Sequence, residues 1–415
     1  MRQPLSNEQV KAFLHYGFVP RPKQVKVQRL LRRYAIDVKE IKKQESFEEL
    51  IREGSKILDD TFHDIAGKVE DKTVVIPLSG GMDSRAVLGG MLKHLPTSKI
   101  KTITLGIPGA LDYEIGQRVA KKVGVANKVI NLDNIEWNEQ DLINYAKKFQ
   151  YPVALVEGFL FSQVFSCFED GSVFLSGFMG DPLAGSHLQK NNSLTWEKAK
   201  IGFIKRNNYT SVSTSWTENE LLPEKPFLDN KLITIDEQLD FFIRQRYYVL
   251  PLVLLKGKKH IAPFLNPPWV EFMLNLPRSL RKDQMLYKKL LFHAYPDLFS
   301  LPLKNTKGLP LNASTIHFFY KRITSKMGNL GRKHLPLICS GPTPGLNYID
   351  FKQAYRKKND LKSIAEKSLK EISARGVIDY IDFQNVWREH QSRKFNHSQL
   401  ISLLVSLEIF IKSRS

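Results

Sequence analysis

Between residues 73 and 175 short apolar runs alternate with stretches of helical periodicity, and no other feature of the chain restricts its fold as strongly. Thr73-Val74-Val75-Ile76-Pro77-Leu78, the run from Ile100 to Leu105, Lys128-Val129-Ile130-Asn131 and Ser172-Val173-Phe174-Leu175 read as strands, with Pro77 tolerable only near a strand end. Ser84 to His94, Tyr113 to Val123 with Gly124 as its C-cap, and two stretches near 138–149 and 156–168 read as the intervening helices. Strand–helix alternation gives parallel pairing, because each crossover lays a helix on a sheet face. The expected class is therefore α/β: a parallel sheet with helices on both faces. Ligands of such sheets sit beyond the carboxyl ends of the strands, so the loops there are where chemistry is sought.

The flanks are less regular. Pro20 and Pro22 make residues 1–45 read as an extended segment. A capping box, Ser46-Phe47-Glu48-Glu49, opens an amphipathic helix over 47–66. Residues 187–235 are polar without clear periodicity and read as an insertion or lid. Helices are expected over 236–256, 268–277, 283–295, 351–374 and 398–413. The expected division is an α/β core over 46–186, an insertion plus helical part over 187–330, and a basic helical region over 331–415.

Composition narrows the function. The chain has two cysteines, Cys167 and Cys339, too few for a disulfide framework or a Cys-rich zinc site, and its histidines show no metal spacing. No apolar run reaches membrane-spanning length, and Met1-Arg2-Gln3-Pro4-Leu5 has no signal-peptide core, so a cytoplasmic protein with no membrane partner is expected. The formal charge is +20 and lies almost wholly in the second part: 28 basic against 11 acidic residues after position 250, 34 against 31 before it. Such a basic half fits an anionic partner, whether nucleotide, polyphosphate, acidic glycan or nucleic acid.

The loop Leu78-Ser79-Gly80-Gly81-Met82-Asp83-Ser84 lies between the first strand and its helix. Consecutive glycines let backbone N–H groups converge, the helix start adds unpaired N–H groups and the positive dipole end, and two serines add hydroxyls. This is a receptor for pyrophosphate, and it is no Walker A loop because no lysine follows the second glycine. Asp83 inside an anion nest calls for a mediating cation and reads as a Mg²⁺ ligand.

Ser79-Gly80-Gly81-Met82-Asp83-Ser84 resembles the loop of the PP-loop (N-type) ATP pyrophosphatases, which split ATP to AMP and pyrophosphate; the implied fold is adenine nucleotide alpha hydrolase-like. More narrowly, the chain resembles the synthetase domain of the asparagine synthetases. Gly17-Phe18-Val19-Pro20 is similar to their interdomain stretch, and Thr102 to Gly106 with Asp112-Tyr113-Glu114 to their second strand and helix start. Leu175-Ser176-Gly177-Phe178-Met179-Gly180-Asp181 resembles their second conserved loop, Ala262-Pro263-Phe264-Leu265-Asn266 a later box, and Thr306-Lys307-Gly308 an element whose lysine neutralises ATP phosphates. The resemblance implies ATP and Mg²⁺ as cofactors. It implies Leu78, Ser79, Gly80, Gly81, Met82, Asp83, Ser84, Gly106, Ser176 and Gly177 around the nucleotide, Asp83 and Asp181 on the metal, and Asp181 and Lys307 in catalysis.

Departures from the family shape the expected reaction. Residue 2 is arginine where the family's glutaminase domain has its cysteine, and about 70 residues precede the ATP loop, so ammonia is expected free or from a separate glutaminase subunit, unless the nucleophile is another amine. In the second loop the glutamate that the family implies as proton carrier is Phe178, and a second glutamate is Pro182; an aromatic ring is no general base. Asn266 replaces an aspartate in the later box. The expected function is an AMP-forming ligase or amidotransferase that adenylates a small-molecule, sugar-acid or peptide carboxylate and passes it to ammonia or another amine. Alternatives are a tRNA-modifying enzyme of the same superfamily and a non-catalytic nucleotide-binding descendant. Asp181 has a lesser alternative as a turn or cap residue, Lys307 reads equally as an exposed charge, Lys304, Lys288 and Lys289 read more readily as solvated charges, Gly106 as room for adenine or a tight turn, and Arg85 as a phosphate or carboxylate contact or a surface charge.

Overall fold

A computed structural model describes residues 5–21, 46–164, 168, 171–210, 221–228, 233–253, 258–314 and 346–414; Arg2, Pro22, Cys167 and Cys339 lie outside these. Five strands, β1 (Val74–Pro77), β2 (Ile100–Gly106), β3 (Ala126–Asn131), β4 (Val173–Leu175) and β5 (Lys259–Ile261), form one sheet in the order β3-β2-β1-β4-β5. Every pairing is parallel, with Val74 opposite both Ile100 and Val173. The chain runs outward from β1 through β2 to β3, then returns to place β4 on the other side of β1. The topological switch point thus falls between β1 and β4, and their two loops face the crevice it opens.

Alternation along the strands buries both faces. Val74 and Ile76 of β1, Ile100 of β2, and Val173 and Leu175 of β4 join the core formed with the helices Phe47–Lys68, Met82–His94, Leu111–Val123 and Met285–Ala294. Val75, Ile103 and Phe174 point to the opposite face, against Val164 and Phe168. Beyond that face lies a second large core, which unites Asn7–Tyr16, Glu139–Ala146, Leu155–Ser162 and the C-terminal helices. Its centre is Ser398–Lys412, whose Leu403, Leu404, Val405 and Leu407 are almost fully buried. Each such side chain stabilises by roughly 2 kcal/mol. Ser406 Oγ accepts from Leu155 N (3.0 Å) and Val156 N (3.4 Å), capping a helix whose own N-cap, Ala154, has no side chain to do so. Glu408, fully buried on the same helix, is held by two guanidinium bonds from Arg375 at 2.8 Å.

The structure corrects several expectations. Within the supposed extended segment 1–45, Asn7–Tyr16 is a helix with a complete Ser6–Gln9 capping box, closed by Gly17 at φ +75°. Pro20 lies beyond that C-cap. The supposedly aperiodic insertion contains the helix Trp196–Arg206, capped by Thr195, with Trp196, Ala199, Phe203 and Ile204 on its buried side. The long helix expected from 236 runs as Ile235–Leu239, a wide-turned π segment Asp240–Val249, and Leu250–Val253. The helix expected over 351–374 breaks at the extended Lys358, and Phe383–Gln391 is an additional helix. β5 was not foreseen, since Lys-His-Ile carries no apolar run. Among the described residues no helix is long and apolar enough to cross a membrane.

Candidate active site

Leu78 N–H bonds Ile103 O at 2.7 Å, extending the ladder one residue past β1, and the chain then leaves the sheet. Gly80 passes so close to the next helix that a Cβ there would lie 3.0 Å from Leu111 O. The loop is braced from within, where Ser79 N–H donates to Ser84 Oγ (3.1 Å) and Gly81 N–H to Ser79 Oγ (3.1 Å), and from the next helix, where Asp112 Oδ1 accepts from Gly80 N–H (3.0 Å). The expected nest of converging glycine N–H groups is therefore already satisfied by protein acceptors. The anion-binding capacity lies one step on, where the Met82–His94 helix begins at Gly81 with no side-chain cap.

Asp83 sits in that first turn. Tyr287 OH donates to its Oδ1 (2.7 Å) and Asp181 N–H to its Oδ2 (2.9 Å). Burial, and then the neighbouring Asp181 charge, push the Asp83 carboxyl well above the usual carboxylate range. The loop after β4 can come this close only because it lacks side chains at two positions. A Cβ on Gly177 would lie 2.5 Å from Asp83 Cβ, and one on Gly180 2.5 Å from Asp83 Cγ. Between them Met179 adopts φ +69°, left-handed for a non-glycine residue, while its side chain is buried in the core. Ser176 N–H bonds Ile261 O, and Ser176 Oγ lies 2.8 Å from His260 Nε2 on β5; burial holds that imidazole down at about 4.

Asp181 Oδ1 accepts from Gln284 Nε2 at 2.6 Å. Asp283 and Gln284 both have positive φ (54° and 58°) just before the helix that carries Tyr287. Two successive left-handed residues cost on the order of 1–2 kcal/mol each, and they aim Gln284 at one aspartate and Tyr287 at the other.

A cavity of about 360 Å³ opens at this junction. Leu78, Ser79, Asp83, Ser176, Gly177 and Asp181 line it, together with Phe178, Pro182, His187, Arg244, Gln245, Leu105, Phe161, Val164 and Tyr348. The remaining predicted residues fall elsewhere. Met82 turns its side chain into the core. The space beside Gly106 is filled, with Asn347 O 3.0 Å and Tyr113 Cβ 3.1 Å from its virtual Cβ. Lys307, exposed at φ +56° in a turn closed by Leu303 N–H to Leu309 O, lines a second cavity of about 800 Å³ with Lys282, Lys288, Lys289 and Asn305. That cavity adjoins the first loop, since Asn305 Oδ1 is 4.0 Å from the virtual Cβ of Gly81.

Two basic residues take unexpected places. Arg85 is neither a ligand contact nor a surface charge: fully buried, it donates to Leu298 O (2.9 Å), Leu301 O (3.1 Å) and Pro302 O (2.6 Å). Lys304 meets the buried Asp112 at 2.7 Å and its own N–H bonds Gly80 O at 2.8 Å, so Asp112 joins this lysine to the first loop. Sequence reasoning missed Asp112, Tyr287, Gln284, His260 and His187. Asp112 alone had a local signal, as the first residue of the quoted Asp-Tyr-Glu string.

Among the described residues no three histidine, cysteine, aspartate or glutamate side chains form a metal-holding group. Comparison with curated proteins gave no significant match. The family model for asparagine synthase matches residues 58–240, a span that contains both loops and both aspartates. Over that span the chain is similar to the asparagine synthase family, a family of ATP-using synthetases.

Proposed function

We propose that the protein is an AMP-forming, ATP-dependent carbon–nitrogen ligase that adenylates a substrate carboxylate and transfers the acyl group to an amine. The observation that carries this reading is the meeting of Asp83 and Asp181 beneath an uncapped helix start at the switch point of a parallel sheet. Two adjacent carboxylates in a largely buried place are unfavourable unless a proton or cation lies between them. The donor set fits Mg²⁺, which takes one or two carboxylates and completes its shell with phosphate oxygens and water. Asp83 and Asp181 would hold it, and when bound it would offset charge developing on the leaving pyrophosphate.

The chain's own groups account for the rest. The free N–H groups of the Met82–His94 helix start stabilise phosphate oxygens and strengthen as negative charge builds on them. Ser79 and Ser176 offer hydroxyls in the cavity wall, and the apolar surface of Leu105, Phe161 and Val164 suits a base or acyl chain. A carboxylate oxygen of the substrate attacks the α-phosphorus, and pyrophosphate leaves toward the lysine-lined cavity, where Lys307 would receive it. Its contribution is electrostatic, a positive charge placed where negative charge builds on the leaving pyrophosphate.

The test is pyrophosphate release from ATP and Mg²⁺ with a panel of amino-acid, sugar-acid and peptide carboxylates. Asp83→Asn is expected to lower the rate by about 100-fold or more. An unchanged rate would remove the reading, and nucleotide binding without turnover on any acid would favour the non-catalytic alternative.

A further inference from the structure

An acyl-adenylate is consumed when an amine nitrogen forms a bond to the acyl carbon and the bond from that carbon to the AMP oxygen breaks, its electron pair leaving with AMP. The nitrogen must give up a proton in the same passage. The cavity that holds Asp83 and Asp181 is poor in groups able to take it. Phe178 and Pro182 have no basic atom, Arg244 is a permanent cation, and Tyr348 is a phenol that burial keeps protonated. Both oxygens of Asp83 already accept, from Asp181 N–H and Tyr287 OH, and Asp181, whose Oδ1 accepts from Gln284, is assigned with it to the metal above.

His187 remains, and it is held as a proton acceptor should be. Its Nδ1 lies 2.8 Å from Asp240 Oδ2, and Gln245 Nε2 donates to that same oxygen at 3.3 Å. Among the described residues Nε2 has no hydrogen-bond partner, and the ring is 35% exposed where it borders the cavity. Asp240 is only 15% exposed, and its other oxygen faces Arg244 at 3.7 Å. The backbone ties this pair to the metal end of the cavity. The turn that begins at Asp181 closes through Ser186 N–H to Asp181 O and pivots at Gly185 (φ +95°), where a Cβ would lie 2.4 Å from Arg281 O. The partners come from the Asp240–Val249 segment, whose π pitch brings Asp240 and Gln245 to one side.

We infer that the His187–Asp240 pair is the proton acceptor of the amide-forming half-reaction. His187 Nε2 takes the proton released by the attacking nitrogen, and Asp240 fixes the tautomer that leaves Nε2 basic and stabilises the imidazolium formed. The charged and titratable groups around the ring are Asp240 and Arg244 on the π segment and Asp83, Asp181 and Tyr348 on the other cavity walls. The inference rests on the adenylating function proposed above, and the two can fail separately.

The experiment measures both half-reactions on one acid chosen by ATP–pyrophosphate exchange, with glycine ethyl ester, ammonia and hydroxylamine as amines. In His187→Gln exchange is expected to change less than about threefold, while amide formation with ammonia or the ester falls about 100-fold. Hydroxylamine, largely unprotonated at neutral pH, should restore most of the rate, a recovery that a merely structural defect would not give. Asp240→Asn, a positioning variant, should lose about tenfold and show the same recovery. Loss of exchange and amide formation in equal measure, no loss of either, or loss without hydroxylamine recovery would each overturn the assignment. Absence of exchange with every acid in the parent protein would instead remove the adenylating reading, and this assignment with it.

Discussion

The loop after β1 keeps its shape largely with its own atoms, whereas the loop after β4 borrows its polar partners from distant segments. Ser79, Gly81 and Ser84 bond one another within six residues. Ser176 depends on Ile261 and His260, and Asp181 depends on Gln284. Glycine differs as well. At Gly81 a Cβ would find nothing nearer than Ser79 Oγ at 3.2 Å, while at Gly177 and Gly180 it would collide with Asp83. A self-braced loop can be recognised from a short string. A borrowed one tolerates losses in its own string, as at Pro182, which sits in the first turn of the short helix Gly180–Leu183 where no N–H is needed.

The contrast can be broken most forcefully at Arg85. It follows the self-braced loop directly yet anchors the 298–302 stretch that leads to Lys304. Arg85→Met should leave three inward-facing carbonyls without their donor and cost about 3–5 kcal/mol in urea denaturation. A loss below about 1 kcal/mol would mean that the first loop needs no outside support.

Acid should sharpen the contrast from the other side. Burial lowers His260 to about 4, from an ordinary value near 6.5. A depressed folded-state value means that the contribution of the neutral ring is present above pH ~6.5 and lost as the pH falls through about 4. For a ring that is not wholly enclosed this amounts to roughly 2 kcal/mol over the window, and His260→Gln should flatten the stability profile there. An unaltered slope would show that the second loop does not lean on β5.

The smallest expected effect is steric. Gly180→Ala should cost about 1–3 kcal/mol, because Asp83 is pinned from two sides and cannot move away. Gly81→Ala, at φ −79° with only the Ser79 hydroxyl in close contact at 3.2 Å, should cost under about 1 kcal/mol. Equal denaturation midpoints for the two would erase the distinction between the loops.

The same contrast explains what could be read from the chain alone. Four of five strands and the Met82–His94 helix were legible because apolar runs and glycine punctuation are local. The Asn7–Tyr16 and Trp196–Arg206 helices were also written locally, in Ser6 with Gln9 and in Thr195 with its spaced apolar residues, but the neighbouring prolines and polar residues hid them. β5 was invisible because a three-residue strand owes its existence to its neighbour β4. Tyr287 and Gln284 lie about 200 and 100 residues from the aspartates they bind. Their role arises from chain reversal at two left-handed residues, which no short window of sequence displays.

That reversal links the two carboxylates mechanically. Gln284 and Tyr287 ride on one short stretch, so any displacement of it withdraws a donor from Asp181 and from Asp83 together. Neither acid can then be retuned alone by a shift of this stretch, and whatever enters between them meets a pair that opens or closes as one.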